Sequence, residues 1–317
     1  MSKDDIKQIG LLVGPESSWP AAFIAEVNRR EEGVSADFVK IGETLLNSLC
    51  PYDLLIDRIS HEVPYYRTYL KFAAVKGCYV INNPYMTAAD DKFFGVALGA
   101  KLGIHAPRTV ALPNKRVEVE NSPESFRNLV YPMDWQEIID YVGVPAILKD
   151  IHTGGRTVSQ RVSNVDELLR WYDESDTLTV VVQEIVESDY HVHCLVVGQQ
   201  EVLVARYLPD EQKYLPKGDG IEADVLSASS SAALTLTRAY GYDVNLVEYV
   251  VHEDRPHLIN PTNPAPDLDL DLLGEANFEW SVNNIADFAI EMCHHARPQF
   301  DPSHGYEAFR QRPGKTN

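Results

Sequence analysis

This chain of 317 residues is short of cysteine, short of positive charge, and without an apolar run long enough to span a bilayer. Its four cysteines, Cys50, Cys78, Cys194 and Cys293, are scattered and form no CxxC pair. Neither a disulfide framework nor a zinc ribbon is therefore suggested. Lys and Arg number 28 against 47 Asp and Glu, a net charge of -19. That balance argues against a general nucleic-acid binder and against an anionic membrane surface, both of which require concentrated cations. There is no GxSxG elbow or Cys/His arrangement to mark covalent catalysis. The polar opening, Met1-Ser-Lys-Asp-Asp-Ile-Lys7, shows no secretory signal, so the expectation is a soluble cytoplasmic protein. What the chain does have is 44% apolar residues, ample for the core of one large domain or of two to three smaller ones.

The first third alternates strand and helix signals. Ile9–Val13, Ala36–Lys40, Tyr52–Asp57 and Cys78–Asn82 read as strands, with helices over Trp19–Arg30 and Pro64–Lys76 between them. That alternation predicts βαβ units and a parallel sheet. Arg58 falls just after a strand, at the carboxyl edge where open α/β sheets bind ligands, and is a candidate carboxylate or phosphate contact; a surface ion pair is the alternative. A helix with Thr87 as its cap is expected to run to about Leu102 and to carry Lys92. From Arg156 onward the pattern predicts antiparallel strands, with helices near 164–172, 227–240 and 281–295, and a punctuated tail.

Within this framework, Val144-Pro-Ala-Ile-Leu-Lys149 is an apolar strand ending in a lysine, followed by the turn glycines Gly154 and Gly155. A cation beside a glycine turn can hold phosphate, because backbone N–H groups approach the oxygens with no Cβ in the way. Alone, the same residues describe an ordinary hairpin. The order around them changes that reading. It runs Asp91-Lys92, Gly103–Thr109, Pro145–Lys149, Val182-Gln-Glu-Ile185, Asp189–Gly198, Val204-Ala-Arg206, Gly241–Glu248 and Ile259–Pro266.

Over roughly residues 80 to 270 this succession resembles the ATP-grasp superfamily, nearest its glutathione synthetase and ribosomal-protein glutamate ligase branch. The resemblance implies an N-terminal Rossmann-like α/β domain over 1–85, ATP-grasp lobes over 86–180 and 181–300, and a tail over 301–317. It implies that Lys92 and Lys149 hold nucleotide phosphates, with Gly154 and Gly155 in the phosphate loop. Gln183, Glu184 and Ile185 match the adenine hinge, where an exposed strand edge offers its backbone to the base. Glu187 or Asp189 stands where an acid reaches a ribose hydroxyl. Arg206 matches the arginine that faces the γ-phosphate or acyl phosphate, for which a bidentate guanidinium is suited. Glu248 and Asn263 match ligands of Mg²⁺, a hard cation that takes oxygen donors.

Three departures surround the same place. Asp150 stands where relatives carry proline, His191 where they carry a second arginine, and Pro261 where they carry the intervening metal-binding glutamate. Asn260, or Asp267, Asp269 and Asp271 in the following acidic run, are the candidates to replace that glutamate. His191 and His193 share one strand face, which suits either metal binding or packing. The expected function is an ATP- and Mg²⁺-dependent carboxylate–amine ligase working through an acyl phosphate on a small molecule or peptide, in a chain that associates as a homo-oligomer in many relatives. A catalytically degenerate ATP-binding regulator and a phosphotransferase are the alternatives. Arg58, Arg156, Lys213 and Lys217 are candidate substrate contacts.

Overall fold

The computed structural model describes residues 6–118, 127–152 and 159–300. Gly154, Gly155 and Arg156, and the tail beyond 300, lie outside the described residues. The chain divides into two compact units. The first comprises residues 6–89, 193–247 and 263–300, the second residues 90–192 and 248–262 less the undescribed segments.

The first unit opens with β1 (Lys7–Leu12), α1 (Trp19–Arg30), β2 (Val34–Phe38), β3 (Leu54–Asp57), α2 (Pro64–Val75), β4 (Tyr79–Ile81) and the short α3 (Pro84–Ala89). The strands form an all-parallel sheet in the order β2-β1-β3-β4, as the strand–helix alternation predicts. The strands β3 and β4 are apolar runs because both their faces are covered, whereas β2 carries the exposed Asp37 and Phe38. Ile9, Leu11, Leu54, Ile56 and Ile81 enter one core, while Leu12, Leu55, Val80 and the α2 residues Tyr69, Leu70 and Ala73 build the other. On α1, Trp19, Phe23 and Val27 repeat every fourth residue and bury one stripe. Proline in the first turn of that helix uses a position whose N–H would have no intrahelical partner.

The second unit continues with α4 (Lys92–Lys101), β5 (Thr109–Leu112), α5 (Trp135–Val142), β6 (Ala146–Asp150), β7 (Ser159–Val162), α6 (Val165–Glu174) and β8 (Val180–Glu184). Its four strands are antiparallel in the order β5-β8-β6-β7. Antiparallel pairing thus begins before Arg156, where the sequence pattern places the change. One face of this sheet carries Leu112, Ala146, Leu148, Val162, Val180 and Val182 onto α5 and α6.

The helix expected to start at Thr87 is two helices, α3 and α4. Asp91 takes extended backbone between them and accepts the Phe94 N–H, so Lys92 becomes the first residue of the second helix.

The chain goes on through β9 (Tyr190–Val197), β10 (Glu201–Leu208), β11 (Lys213–Tyr214), α7 (Ala223–Tyr240), β12 (Val244–His252), β13 (Arg255–Asn260), α8 (Leu270–Leu273) and α9 (Glu275–His294). The order of the strands is β11-β10-β9-β12-β13. The division between the units falls inside β9 and inside β12. In the first unit, α9 adds Val282, Ile285, Ala286 and Ala289 to the core that holds Trp19 and Phe23. It begins six residues before the start that its apolar spacing predicts, because Gly274 ends α8 with a positive φ of 71° and turns the chain directly into it.

Candidate active site

Lys149 is the fourth residue of β6, and β6 pairs with β8 so that Ile147 faces Gln183 and Lys149 faces Val181. Lys149 therefore lies diagonally across from Gln183 on the same face, within reach of a long side chain. Its Nζ donates to Gln183 Oε1 at 2.7 Å, and Gln183 Nε2 donates to Thr109 Oγ1 on β5 at 2.9 Å. Gln183 is buried, so both ends of its amide are fixed by neighbouring strands. Burial holds the Lys149 ammonium down to about 8; the charge of Lys92 adds to the effect and that of Glu248 opposes it.

Lys92 projects from the first turn of α4. Its Nζ donates to the carbonyls of Asp150 at 2.7 Å and His152 at 2.6 Å, and its backbone N–H donates to the Ile151 carbonyl. Burial lowers its pKa as well, with Asp150 opposing. Asp150, where the resemblance implies proline, is buried and accepts the His152 N–H. This turn fixes the backbone between Asp150 and His152.

Glu248 reaches the same group of charges from β12. A β-bulge separates it from Tyr249, and it pairs with Asn260 on β13. Bulges of this kind re-aim a side chain. Asn260 Nδ2 donates to Glu248 Oε1 at 3.1 Å. Burial raises the pKa of Glu248, and the Asn260 hydrogen bond and the Lys149 charge pull it back. Lys149 thus senses a second lysine and a carboxylate, the three side chains being held on three separate elements of one unit. Burial destabilises both ammonium groups and the Lys92 charge further destabilises Lys149, an arrangement that added anionic charge would relieve.

The expected hinge differs in its details. Val182, Gln183 and Glu184 are paired on both sides, because β8 lies between β5 and β6, so they do not form the exposed strand edge that the motif predicts. The backbone leaves the sheet at Ile185, whose side chain is exposed. Glu184 is held by Arg108, which donates from Nε at 3.1 Å and from Nη2 at 2.9 Å and keeps the carboxyl pKa low. Asp189 accepts the Glu253 N–H at 3.1 Å, whereas Glu187 is largely exposed and lies 3.8 Å from His252.

The remaining candidates belong to the first unit. Arg206, on β10, packs beside Gly220, and its carbonyl accepts the Leu215 N–H. Asn263 braces its own loop: its N–H donates to Asn245 Oδ1 and its Oδ1 accepts the Ala265 N–H. Asp269 does not supply a metal ligand, since its carboxylate accepts the N–H groups of Ser17, Ser18 and Trp19 at the start of α1. Of the candidates to replace the missing glutamate, Asp269 is already committed, and the amide of Asn260 is the one beside Glu248. His193 is buried, stacks on Tyr207 at 4.7 Å and shares a 2.8 Å hydrogen bond with Tyr214, a packing role. Arg58 is buried too, pairing with Glu16 and the Pro266 carbonyl beneath Trp19, so neither the ligand contact nor the surface pair describes it. A separate cleft of ≈ 560 Å³ in this unit is lined by Tyr79, Arg238, Asp243 and Arg297 and contains none of the candidates.

Sequence reasoning missed the roles of Thr109 and Arg108, which hold Gln183 and Glu184, whereas Asn260 is among its candidates and is found on Glu248. Thr109 and Arg108 owe their roles to cross-strand register, which no local motif reports. No grouping of three or more His, Cys, Asp or Glu residues suited to a metal occurs among the described residues. No described helix is long and apolar enough to cross a membrane.

The fold is that of ATP-grasp enzymes. The VanG D-Ala:D-Ser ligase from Enterococcus faecalis superimposes with a TM-score of 0.65 at 16% identity, covering 91% of this chain and 99% of the ligase. The D-alanine–D-alanine ligase from Bacillus anthracis, in a complex with ATP, gives 0.63 at 16% identity over 93% of this chain and all of that one. A RimK domain ATP-grasp protein from Sphaerobacter thermophilus gives 0.64 at 14% identity over 89% and 99%. No protein-family model matches the sequence, and no curated protein is similar to it in sequence.

Proposed function

We infer that the chain is an ATP-dependent ligase that joins a carboxylate to an amine. The observation that carries the reading is the cluster around Lys149, whose buried ammonium senses both the Lys92 ammonium and the Glu248 carboxylate. Its support is that this cluster lies on a fold shared with D-Ala–D-Ala and D-Ala:D-Ser ligases, in positions where the sequence motifs assign phosphate and metal contacts. Resemblance to the glutathione synthetase and ribosomal-protein glutamate ligase branch, and the Rossmann-like description of the first domain, belong to the same proposal.

In this reading Lys149 and Lys92 bind triphosphate oxygens, and Gln183 orients Lys149 by accepting a hydrogen bond from its ammonium. The backbone at Ile185 serves the adenine edge, and Glu187, free to turn outward, is a better ribose contact than Asp189. Arg206 is assigned to the acyl phosphate and Asn263 to the metal, on the sequence resemblance. The donor set fits one Mg²⁺: Glu248 offers a carboxylate, and the Asn260 amide stands beside it where Pro261 cannot contribute. Bound Mg²⁺ supplies charge neutralisation on phosphoryl oxygens. The chain's own contribution is to position the acid and nucleotide and to stabilise developing charge.

The second reading, an ATP-binding protein without turnover, is favoured by one observation: neutral Asn260 and Pro261 leave Glu248 the sole carboxylate at the metal position. Incubation with ATP, Mg²⁺ and pooled amino acids and short peptides, followed by mass spectrometry, separates the two. An amide product with stoichiometric ADP supports the ligase. Nucleotide binding with no ADP from any acid–amine pair supports the second reading, and a phosphorylated alcohol would replace both with a phosphotransferase.

A further inference from the structure

Cysteines that are far apart in sequence meet at one edge of the parallel sheet. Cys50 precedes β3 in the chain, and Cys78 immediately precedes β4. Those strands are neighbours: Leu54 pairs with Tyr79, and the Tyr79 N–H donates to the Asp53 carbonyl at 2.9 Å. The pairing brings Cys78 alongside the residues leading into β3. Cys50 Sγ turns back to lie 3.7 Å from the Tyr52 carbonyl, and Cys78 Sγ lies 3.5 Å from the Tyr79 carbonyl.

Both cysteines pack in the same cluster with Tyr52 and Tyr69. The strongest influence on each thiol is the other. It draws the Cys50 proton off more readily and holds the Cys78 proton on. Cys50 is half-buried, whereas Cys78 is 6% exposed. This is the amino edge of the strands, and the proposed ligase chemistry uses neither sulfur.

We propose that Cys50 and Cys78 are a dithiol–disulfide site, with Cys50 reacting first with a hydroperoxide and Cys78 resolving it. The Cys50 thiolate attacks the peroxide O–O bond. One oxygen remains on sulfur as a sulfenic acid, and the other leaves with a proton as water or alcohol. The Cys78 sulfur then displaces the sulfenic oxygen, which departs with the thiol proton as a second water. Two thiols lose two electrons in total, the O–O bond gains them, and a small-molecule dithiol reverses the change. The division of roles follows exposure: only the half-buried thiol is open to an oxidant, and only a thiol held beside it can close the bond before further oxidation.

The test uses the full chain treated with equimolar hydrogen peroxide, then alkylated under denaturing conditions and peptide-mapped. The expected result is a crosslinked peptide containing Cys50 and Cys78, with two thiols per chain lost and both regained on treatment with dithiothreitol. Cys50→Ser abolishes the crosslink, and Cys293→Ser leaves it intact. Cys78→Ser places a hydroxyl in an apolar cluster and can fail by unfolding, so the wild-type map and the Cys50 variant decide between the outcomes. A Cys78–Cys293 or intermolecular crosslink, sulfinic acid at Cys50 without a crosslink, or no loss of thiol would each overturn the proposal.

Discussion

Lys149 donates to Gln183 across the β6–β8 pair at 2.7 Å, and this bond ties the one lysine that β6 carries to a buried amide that cannot move. A lysine so held is a preorganised point charge, and its low pKa gives it a pH signature. The ammonium is the form that binds phosphate, and it is lost as pH rises through about 8. Affinity for a non-hydrolysable ATP analogue, measured calorimetrically, is therefore expected to fall several-fold between about pH 7 and about pH 9. Stability moves the opposite way. The native pKa lies below the ordinary lysine value of 10.5, so between about 8 and 10.5 the unfolded chain holds a proton that the native one has shed. Stability rises with pH in that window, and Lys149→Met removes the Lys149 part of both trends. Analogue affinity that is flat across this range in the wild type would dismiss Lys149 as a phosphate contact.

Glu248 and Asn260 separate metal binding from folding. Glu248→Gln keeps an oxygen to accept from Asn260 and removes a charge that burial disfavours. Its melting temperature is expected to equal or exceed that of the wild type, while Mg²⁺-dependent nucleotide affinity falls by about 10-fold or more. Asn260→Asp does the reverse: a second carboxylate raises Mg²⁺ affinity and destabilises the metal-free chain through like-charge repulsion. Thermal melts with and without Mg²⁺ read both effects. If the ion stabilised Glu248→Gln as much as the wild type, Glu248 would not be a ligand.

The parallel sheet, the lysine near the end of β6 and the order of the ATP-grasp motifs are legible in the sequence because each is a local pattern: apolar runs, a cation closing an apolar run, glycines. What the sequence hides depends on register and reach. Nothing near Asn260 in the chain says that it faces Glu248, since a bulge sets that pairing. Val182–Glu184 reads as a ligand-facing edge by motif, yet strand order places β8 between two partners. The acidic run at Asp267–Asp271 looks like a metal site in one dimension. Its Asp269 is spent on a helix more than two hundred residues earlier, folding back onto Ser17, Ser18 and Trp19. Arg58 reads correctly as a residue at the carboxyl edge of the sheet, but its partner Glu16 lies on a different loop that no local spacing connects to it.

Arg58 and Glu16 form a buried pair, and breaking it from one side is expected to be costly. Arg58→Met leaves the Glu16 carboxylate without its partner and should lower unfolding stability by about 3–5 kcal/mol in urea titrations. The double variant Arg58→Met/Glu16→Leu is expected to recover much of that loss, because no uncompensated charge remains. A double variant as unstable as the single one would show that the guanidinium acts through the Pro266 carbonyl instead.

Asp269 gives the clearest linkage between acid titration and a single structural contact. Its carboxylate accepts backbone N–H groups from Ser17, Ser18 and Trp19 and the Ser18 hydroxyl, which satisfies donors at the start of α1 that the helix itself cannot pair. Those hydrogen bonds outweigh burial and hold its pKa well below the ordinary 3.8. The sign follows from the depressed value. The stabilisation is fully present above 3.8 and is lost as pH falls through the native pKa, because the folded state must then be protonated at a cost the unfolded chain does not bear. Asp269→Ala is expected to cost about 1–2 kcal/mol at neutral pH, the usual scale for losing a cap. Asp269→Asn retains one acceptor oxygen and should fall between the two, with a shallower acid limb in a plot of unfolding free energy against pH. If the wild type and Asp269→Asn lost stability in parallel on acidification, some other carboxylate would govern the acid limb and the α1 contact would be energetically minor.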